Sequence, residues 1–294
     1  MNDLAVRAER TTSAQMTASV AVPTRIALYK ASPGNMDEGW TEWLFDTFGY
    51  KYTLITPADV RAGSLNARFD AIVVGSQSLT GGGRGGRGGG GGGAGGGRGR
   101  GAAPDSTAPP DSTVRAIDEF VRGGGTLVTW NQGAAAAIAA LRLPVRNVVA
   151  GLPRNQYFTG GSIMQVTTDP THPVMAGMPE RADVFVQGSP VFTTLDGFDG
   201  SVLAKYQATG SPLRSGFLNG EKLMQGYAAA LDVKRDRGHV VLIAFQPQWR
   251  GQPIGTFRVV FNSAFFVGEV AAQAKGVPGF WSPPAAPATP PPGT

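Results

Sequence analysis

The chain has 294 residues, a formal net charge of +5, two histidines and no cysteine. These counts exclude disulfides, thiolate metal sites, a thiol nucleophile and a multi-histidine zinc site. No apolar run approaches the roughly 20 residues of a membrane span, and four of the positive charges (Arg84, Arg87, Arg98 and Arg100) lie in one acid-free glycine tract, so the basic balance is no argument for a nucleic-acid-binding core.

Residues 1–22 carry charges at both ends without a continuous apolar centre, and read as a flexible leader rather than a signal peptide. RIALYK (25–30) is a first strand. DEGWTEWLFDTFG (37–49) follows as a helix, with Trp40, Trp43, Leu44 and Phe48 at helical spacing and Gly49 as its stop. KYTLIT (51–56) is a second strand ended by Pro57, ADVRAGSL (58–65) a short helix or turn, and FDAIVVG (69–75) a third strand. The unbroken Ala-Ile-Val-Val run in that strand suits burial on both faces.

Next comes the Gly/Arg-rich insertion, 79–110, which lacks the apolar side chains to offset the entropy of ordering it. Its matches to the dinucleotide-binding glycine pattern carry no weight, because no helix opens within it. An inert surface loop is the favoured reading. An RNA-associated segment is an alternative, but the tract has no interleaved aromatics. DSTVRAIDEFVRGGG (111–125) then reads as a helix, TLVTW (126–130) as a fourth strand, and NQGAAAAIAAL (131–141) as a helix entered without a loop. This alternation predicts an α/β fold. It is a three-layer sandwich with a mostly parallel, flavodoxin-like sheet covered on both faces.

Beyond residue 143 the pattern changes to strands separated by turns. They are SIMQVTT (162–168), VFVQGSPVF (184–192), SVLAKYQ (201–207), KLMQGYAAALDV (222–233) and GHVVLIAF (238–245), a β-rich extension whose last two members flank the hairpin turn KRDRG. IGTFRVVFNSAFFVGEVAAQ (254–273) reads as one closing helix with Phe257, Phe261 and Phe265 at four-residue steps, to be packed on the sheet. The Pro-rich residues 274–294 are expected to be a disordered tail, leaving one domain over 23–273.

In an open parallel sheet, ligands bind beyond the carboxyl ends of the strands. Asp37, Glu38, Gln77, Asn131 and Arg250 all follow predicted strands, so they form the candidate ligand-binding set, with Gln248 as a further member of that edge. A small polar molecule or a peptide carboxylate would suit them, with Arg250 as a bidentate clamp. The competing role for Asp37 and Glu38 is to complement the dipole of the first helix. Asn131 occupies the strand-to-helix turn where hydrolases place an elbow nucleophile. An amide is no nucleophile, and the favoured role for Asn131 is that of a helix N-cap. His172 lies in the loop DPTHPVMAGMP, where a turn-fixing role is favoured, and His239 reads as a strand-end residue.

Several stretches resemble a known family as a set: RIALYKASPGNMDEGWTEWLFDTFGYKYTLI, LNARFDAIVV, FVRGGGTLVTWN, LPVRNVVAGLPRNQYF, THPVMAGMP and VLIAFQPQWRGQPIGTFRVVFNSAFF. They resemble the C-terminal domain of bacterial zinc carboxypeptidase (carboxypeptidase A-like) family proteins, a domain similar to class I glutamine amidotransferases. The resemblance covers nearly all of 25–268, and NMDEGWT (35–41) and QPQWRGQ (246–252) are its most specific parts. It implies an amidotransferase-like fold and association with a metallopeptidase module, in proteins that are usually exported.

Two departures bear on function. A carboxypeptidase holds zinc on a His-x-x-Glu pair and a later His, but here Met175 stands three residues after His172 and Leu242 three after His239. An amidotransferase carries Cys at the elbow, where this chain has Asn131. The sequence therefore implies a non-catalytic accessory or binding domain without metal or cofactor. The alternative is a hydrolase that uses His172 with Asp37 or Glu38 in a strand-end pocket. Nothing in the sequence assigns a compartment.

Overall fold

A computed structural model describes residues 24–31, 34–79 and 111–284. The expected leader at 1–22, the glycine tract at 80–110 and the end of the tail at 285–294 lie outside the described residues.

The first half alternates as the apolar pattern predicts. β1 (Ile26–Tyr29) leads to α1 (Met36–Thr47), then β2 (Thr53–Ile55), α2 (Pro57–Arg61), α3 (Leu65–Arg68) and β3 (Ala71–Gly75). After the undescribed tract come α4 (Ser112–Arg122), β4 (Thr126–Trp130) and α5 (Asn131–Ala140). Local chemistry sets the helix starts. The Asn35 side chain accepts from the backbone N–H of Glu38 at the head of α1. Thr56 and Asp59 form a reciprocal capping box on α2, with Pro57 in the first helical position. Asp111 caps α4 by accepting from Thr113.

The second half is mostly antiparallel. It contains β5 (Val145–Asn147), β6 (Phe158–Thr159), β7 (Ser162–Thr168), β8 (Arg181–Val186), β9 (Phe192–Thr194), β10 (Gly200–Lys205), β11 (Leu213–Ser215), β12 (Leu218–Asn219), β13 (Ala228–Arg235) and β14 (Gly238–Ile243). The chain then closes with α6 (Phe257–Ala264) and α7 (Gly268–Gln273).

One sheet joins both halves. Strands β2, β1, β3, β4 and β14 lie side by side and parallel, and β13, β10 and β7 continue the sheet antiparallel from β14. Every residue of β1, β3, β4 and β14 is buried, because helices cover both faces. One face packs Val128, Trp130, Val241 and Ile243 against Leu44 and Phe45 of α1 and Val259 and Val260 of α6. The other packs Ile72, Leu127 and Leu242 against Val60, Ile117, Phe120 and Ala137 of α2, α4 and α5.

Two expectations are corrected. The closing segment is not one helix: α6 stops at Phe265, Val267 is extended, and Gly268 has φ 55°. The break lets Phe266 turn into the core, where its carbonyl accepts from the Thr126 hydroxyl. Only Phe257 of the three regularly spaced phenylalanines is buried. Phe261 is half-buried against Phe48 and Tyr50, at ring separations of 5.2 and 4.5 Å.

The tail, expected to be disordered from 274, is held as far as Pro284. The Val277 N–H donates to Asp169 Oδ2 at 3.1 Å, and Trp281 Nε1 donates to the Gly226 carbonyl at 2.7 Å. Lys205 Nζ bonds the Phe280 carbonyl and lies over its ring. Half-buried aromatic packing and three tertiary hydrogen bonds hold a stretch that composition alone assigns to the tail.

Candidate functional site at the strand carboxyl edge

The order β2-β1-β3-β4 puts a topological switch between β1 and β3, where chain connections leave in opposite directions. Open α/β sheets bind ligands in the crevice at such a point. Here Gln77 spans the crevice. Its Nε2 donates to the Tyr29 carbonyl at 2.7 Å, and its Oε1 accepts from the Ala31 N–H at 2.8 Å. Gln77 is thus a brace across the two strand ends, with both ends of its amide engaged by the backbone.

Asp37 is the centre of the edge. It is only 8% exposed, and its carboxylate accepts from three other elements. Oδ2 takes the Ser76 N–H at 3.1 Å, from the turn after β3, and Trp130 Nε1 at 3.0 Å, from the end of β4. Oδ1 takes Gln248 Nε2 at 2.9 Å, from the segment after β14. Gln248 also donates to the Asp37 carbonyl and to Thr41 Oγ1. Burial raises the Asp37 carboxyl above its ordinary range, against the pull of the donors from Ser76, Trp130 and Gln248. Its neighbour Glu38 pairs with Lys30 at 3.0 Å. Burial again raises its carboxyl, Glu42 adds to the rise, and Lys30 opposes it.

The residue that reaches Asp37 from the last strand is Gln248, not Arg250. Arg250 has φ 50° and lies exposed, with its guanidinium 4.9 Å from the Trp249 ring centre. Trp249 in turn stacks on Phe185 at 5.4 Å and an interplanar angle of 10°. Arg250 therefore sits on an aromatic rim, with no carboxylate paired to it among the described residues, and is not the predicted partner of the inner polar groups.

Asn131 does not fill the N-cap role expected of it. Its backbone is left-handed at φ 48°, and no side-chain hydrogen bond caps α5. Its Oδ1 is buried without a partner. The turn is a true elbow, and its tightness comes from the glycines around it. A Cβ on Gly133 would stand 2.1 Å from the Gly75 carbonyl oxygen, and one on Gly75 would stand 2.8 Å from Asp37 Oδ2. The elbow, the turn after β3 and Asp37 are thus pressed together. Gln132 then ties the elbow outward, donating to the Gly188 carbonyl in the connection after β8.

The histidines lie elsewhere. His239 pairs in register with Thr126, at the amino end of β4, while Asn131 follows its carboxyl end. Five residue steps of about 3.3 Å separate the two levels by roughly 16 Å. His172, His239 and Asp232 form a buried cluster at that opposite edge. His239 Nδ1 lies 2.9 Å from Asp232 Oδ1, and His172 Nε2 lies 3.6 Å from Asp232 Oδ2. Asp232 gave no signal in the sequence, because β13–β14 pairing brings it to His239 and the loop after β7 brings His172 to it. The hydrolase alternative is corrected here: His172 is fully buried on Asp232, and does not meet Asp37 or Glu38. No group of three or more His, Cys, Asp or Glu among the described residues is arranged to hold a metal ion. No helix among them is long and apolar enough to cross a membrane.

No family model matches the sequence, and no curated protein matches it. Solved structures do match the fold. A putative GMP synthase component from Thermoplasma acidophilum superposes with a TM-score of 0.50 at 9% identity, covering 85% of this chain and 95% of that one. A putative ThuA-like protein from Bacteroides uniformis gives 0.47 at 10% identity, covering 90% and 97%. PurLQS from Thermotoga maritima gives 0.45 at 10% identity, covering 83% and 99%. The chain has a glutamine amidotransferase-like α/β fold. At such identities the likeness is one of fold alone.

Proposed function

We propose that the chain is a non-catalytic accessory or binding domain of this fold, and that it works beside a zinc carboxypeptidase module. The observation that carries the first part is Asn131. The elbow backbone is strained as a nucleophile turn would be, yet the side chain on it is an amide that cannot attack a carbonyl. The groups around it are spent on structure: Asp37 holds three elements together and Gln77 bridges two strand ends, while both histidines lie at the opposite edge, facing Asp232. The metallopeptidase association rests on the sequence resemblance, through NMDEGWT and QPQWRGQ.

Arg250 is the recognition group in this reading. Its guanidinium is exposed on an aromatic rim, suited to a carboxylate on a peptide or on the partner module. Co-expression with a zinc carboxypeptidase catalytic module, followed by size-exclusion chromatography, should give a stable complex. Arg250→Ala should weaken it by about tenfold, the worth of one charge-assisted contact. Separate elution of the two wild-type proteins at micromolar concentration would remove the metallopeptidase association.

A further inference from the structure

We propose that His172 is an acid-sensitive latch that holds α6 on the sheet. The inference comes from the two ring nitrogens, which face different partners. Nδ1 accepts a hydrogen bond from the Val174 backbone N–H at 3.3 Å, so it carries a lone pair and no proton. The ring proton then belongs to Nε2, which lies 3.6 Å from Asp232 Oδ2 and has no hydrogen-bond partner among the described residues. A second proton has one place to go, Nδ1, and there it would meet the Val174 N–H head on. The closed turn and the imidazolium exclude each other.

That turn bears on the closing helix. Val174 and Met175 are fully buried in a 3-10 turn, Pro173–Met175. Asn262 of α6 donates to the Val174 and Ala176 carbonyls at 3.1 and 3.0 Å, and Arg258 of α6 donates to the Gly177 carbonyl at 2.6 Å. Opening the turn releases the anchor of α6.

Acid also has something to gain. Once the turn opens, a doubly protonated His172 is a cation beside the Asp232 carboxylate, an attraction the neutral ring lacks. The backbone hydrogen bond is exchanged for that Coulombic attraction.

The groups facing the cluster are few. β13 supplies Asp232, and β14 supplies His239, whose Nδ1–H shares the same carboxylate. The segment before α7 brings the Phe266 ring, 5.1 Å from His172 and 5.0 Å from His239. β4 brings Thr126, and α6 brings Asn262 and Arg258, the latter turned to a carbonyl. Asp169, on the same loop, spends its carboxylate on Thr171 and Val277.

Amide exchange tests the latch in the intact chain. One proton taken up on opening makes the open state about tenfold more populated per pH unit. The protection factor of Val174, and of the α6 amides with it, should fall by about that factor per unit between pH 7 and 5, where histidine changes charge. In His172→Asn the amide oxygen can still accept the Val174 N–H but cannot titrate. Its protection should change by roughly twofold or less over the same range, since no proton is linked to its opening. An equal fall in both proteins overturns the proposal. If the variant does not fold, nitrogen NMR of the wild-type imidazole decides: a bare Nδ1 at pH 7.5 is expected, and a protonated one overturns the latch.

Discussion

Asp37→Ala should destabilise the fold by roughly 4 kcal/mol. The substitution leaves the Ser76 N–H, Trp130 Nε1 and Gln248 Nε2 without their carboxylate. A buried donor left unsatisfied costs about 1–3 kcal/mol, more when the lost acceptor was charged. The sum is held below three full penalties because Gln248 keeps Thr41 Oγ1 as a second acceptor. For a domain of this size the melting temperature should drop by roughly 10 °C. Thermal unfolding followed by circular dichroism checks it, and a drop under about 2 °C would mean that Asp37 is no structural hub.

Asp37→Asn probes the charge alone. Burial raises the Asp37 carboxyl in the folded state, so between the ordinary and the raised value the native state binds more protons than the unfolded one. Stability drawn from this group therefore falls as pH rises through that window. The neutral amide has no such slope, so the wild type's advantage over Asp37→Asn should shrink as pH rises from 4 towards 7. Asp232 runs the other way. Its histidines outweigh burial and lower its carboxyl, so its contribution is lost only as pH falls below the ordinary carboxylate value.

Gly133→Ala should cost about 3 kcal/mol or more, although it adds one methyl group. The new carbon would stand 2.1 Å from the Gly75 carbonyl oxygen and 2.9 Å from that of Gln77. Both are backbone atoms that cannot rotate away, so α5 must lift from the turn after β3 and carry the elbow with it. Gly39 is the control, since a Cβ there meets nothing within 4 Å. Gly39→Ala within α1 should be neutral or stabilising by about 0.5–1 kcal/mol. Equal effects at the two positions would remove the argument that close approach, rather than helix propensity, explains Gly133.

The parallel half of the sheet was legible because its strands are buried on both faces and so read as apolar runs without charged residues, as in Ala71–Gly75 and Thr126–Trp130. The same alternation placed Asp37, Gln77 and Asn131 at one edge. What each does there was not legible. Gln248 and Arg250 are two residues apart, and the left-handed turn at Arg250 and Gly251 decides which of them points inward. Asn131 satisfies the rule for a cap and also tolerates φ 48°, and only the contact of Gly133 with Gly75 shows that the second property is the one used. Asp232 lies 60 residues from His172, so no local pattern could pair them. Strands β6 and β12 have two residues each, too short for any periodicity.

On the proposed reading the elbow at Asn131 carries no nucleophile. Hydrolysis of glutamine and of an activated ester by the purified chain tests it directly. Rates at buffer background, unchanged in Asn131→Ala, are expected. Turnover by the wild type that disappears in Asn131→Ala would contradict it.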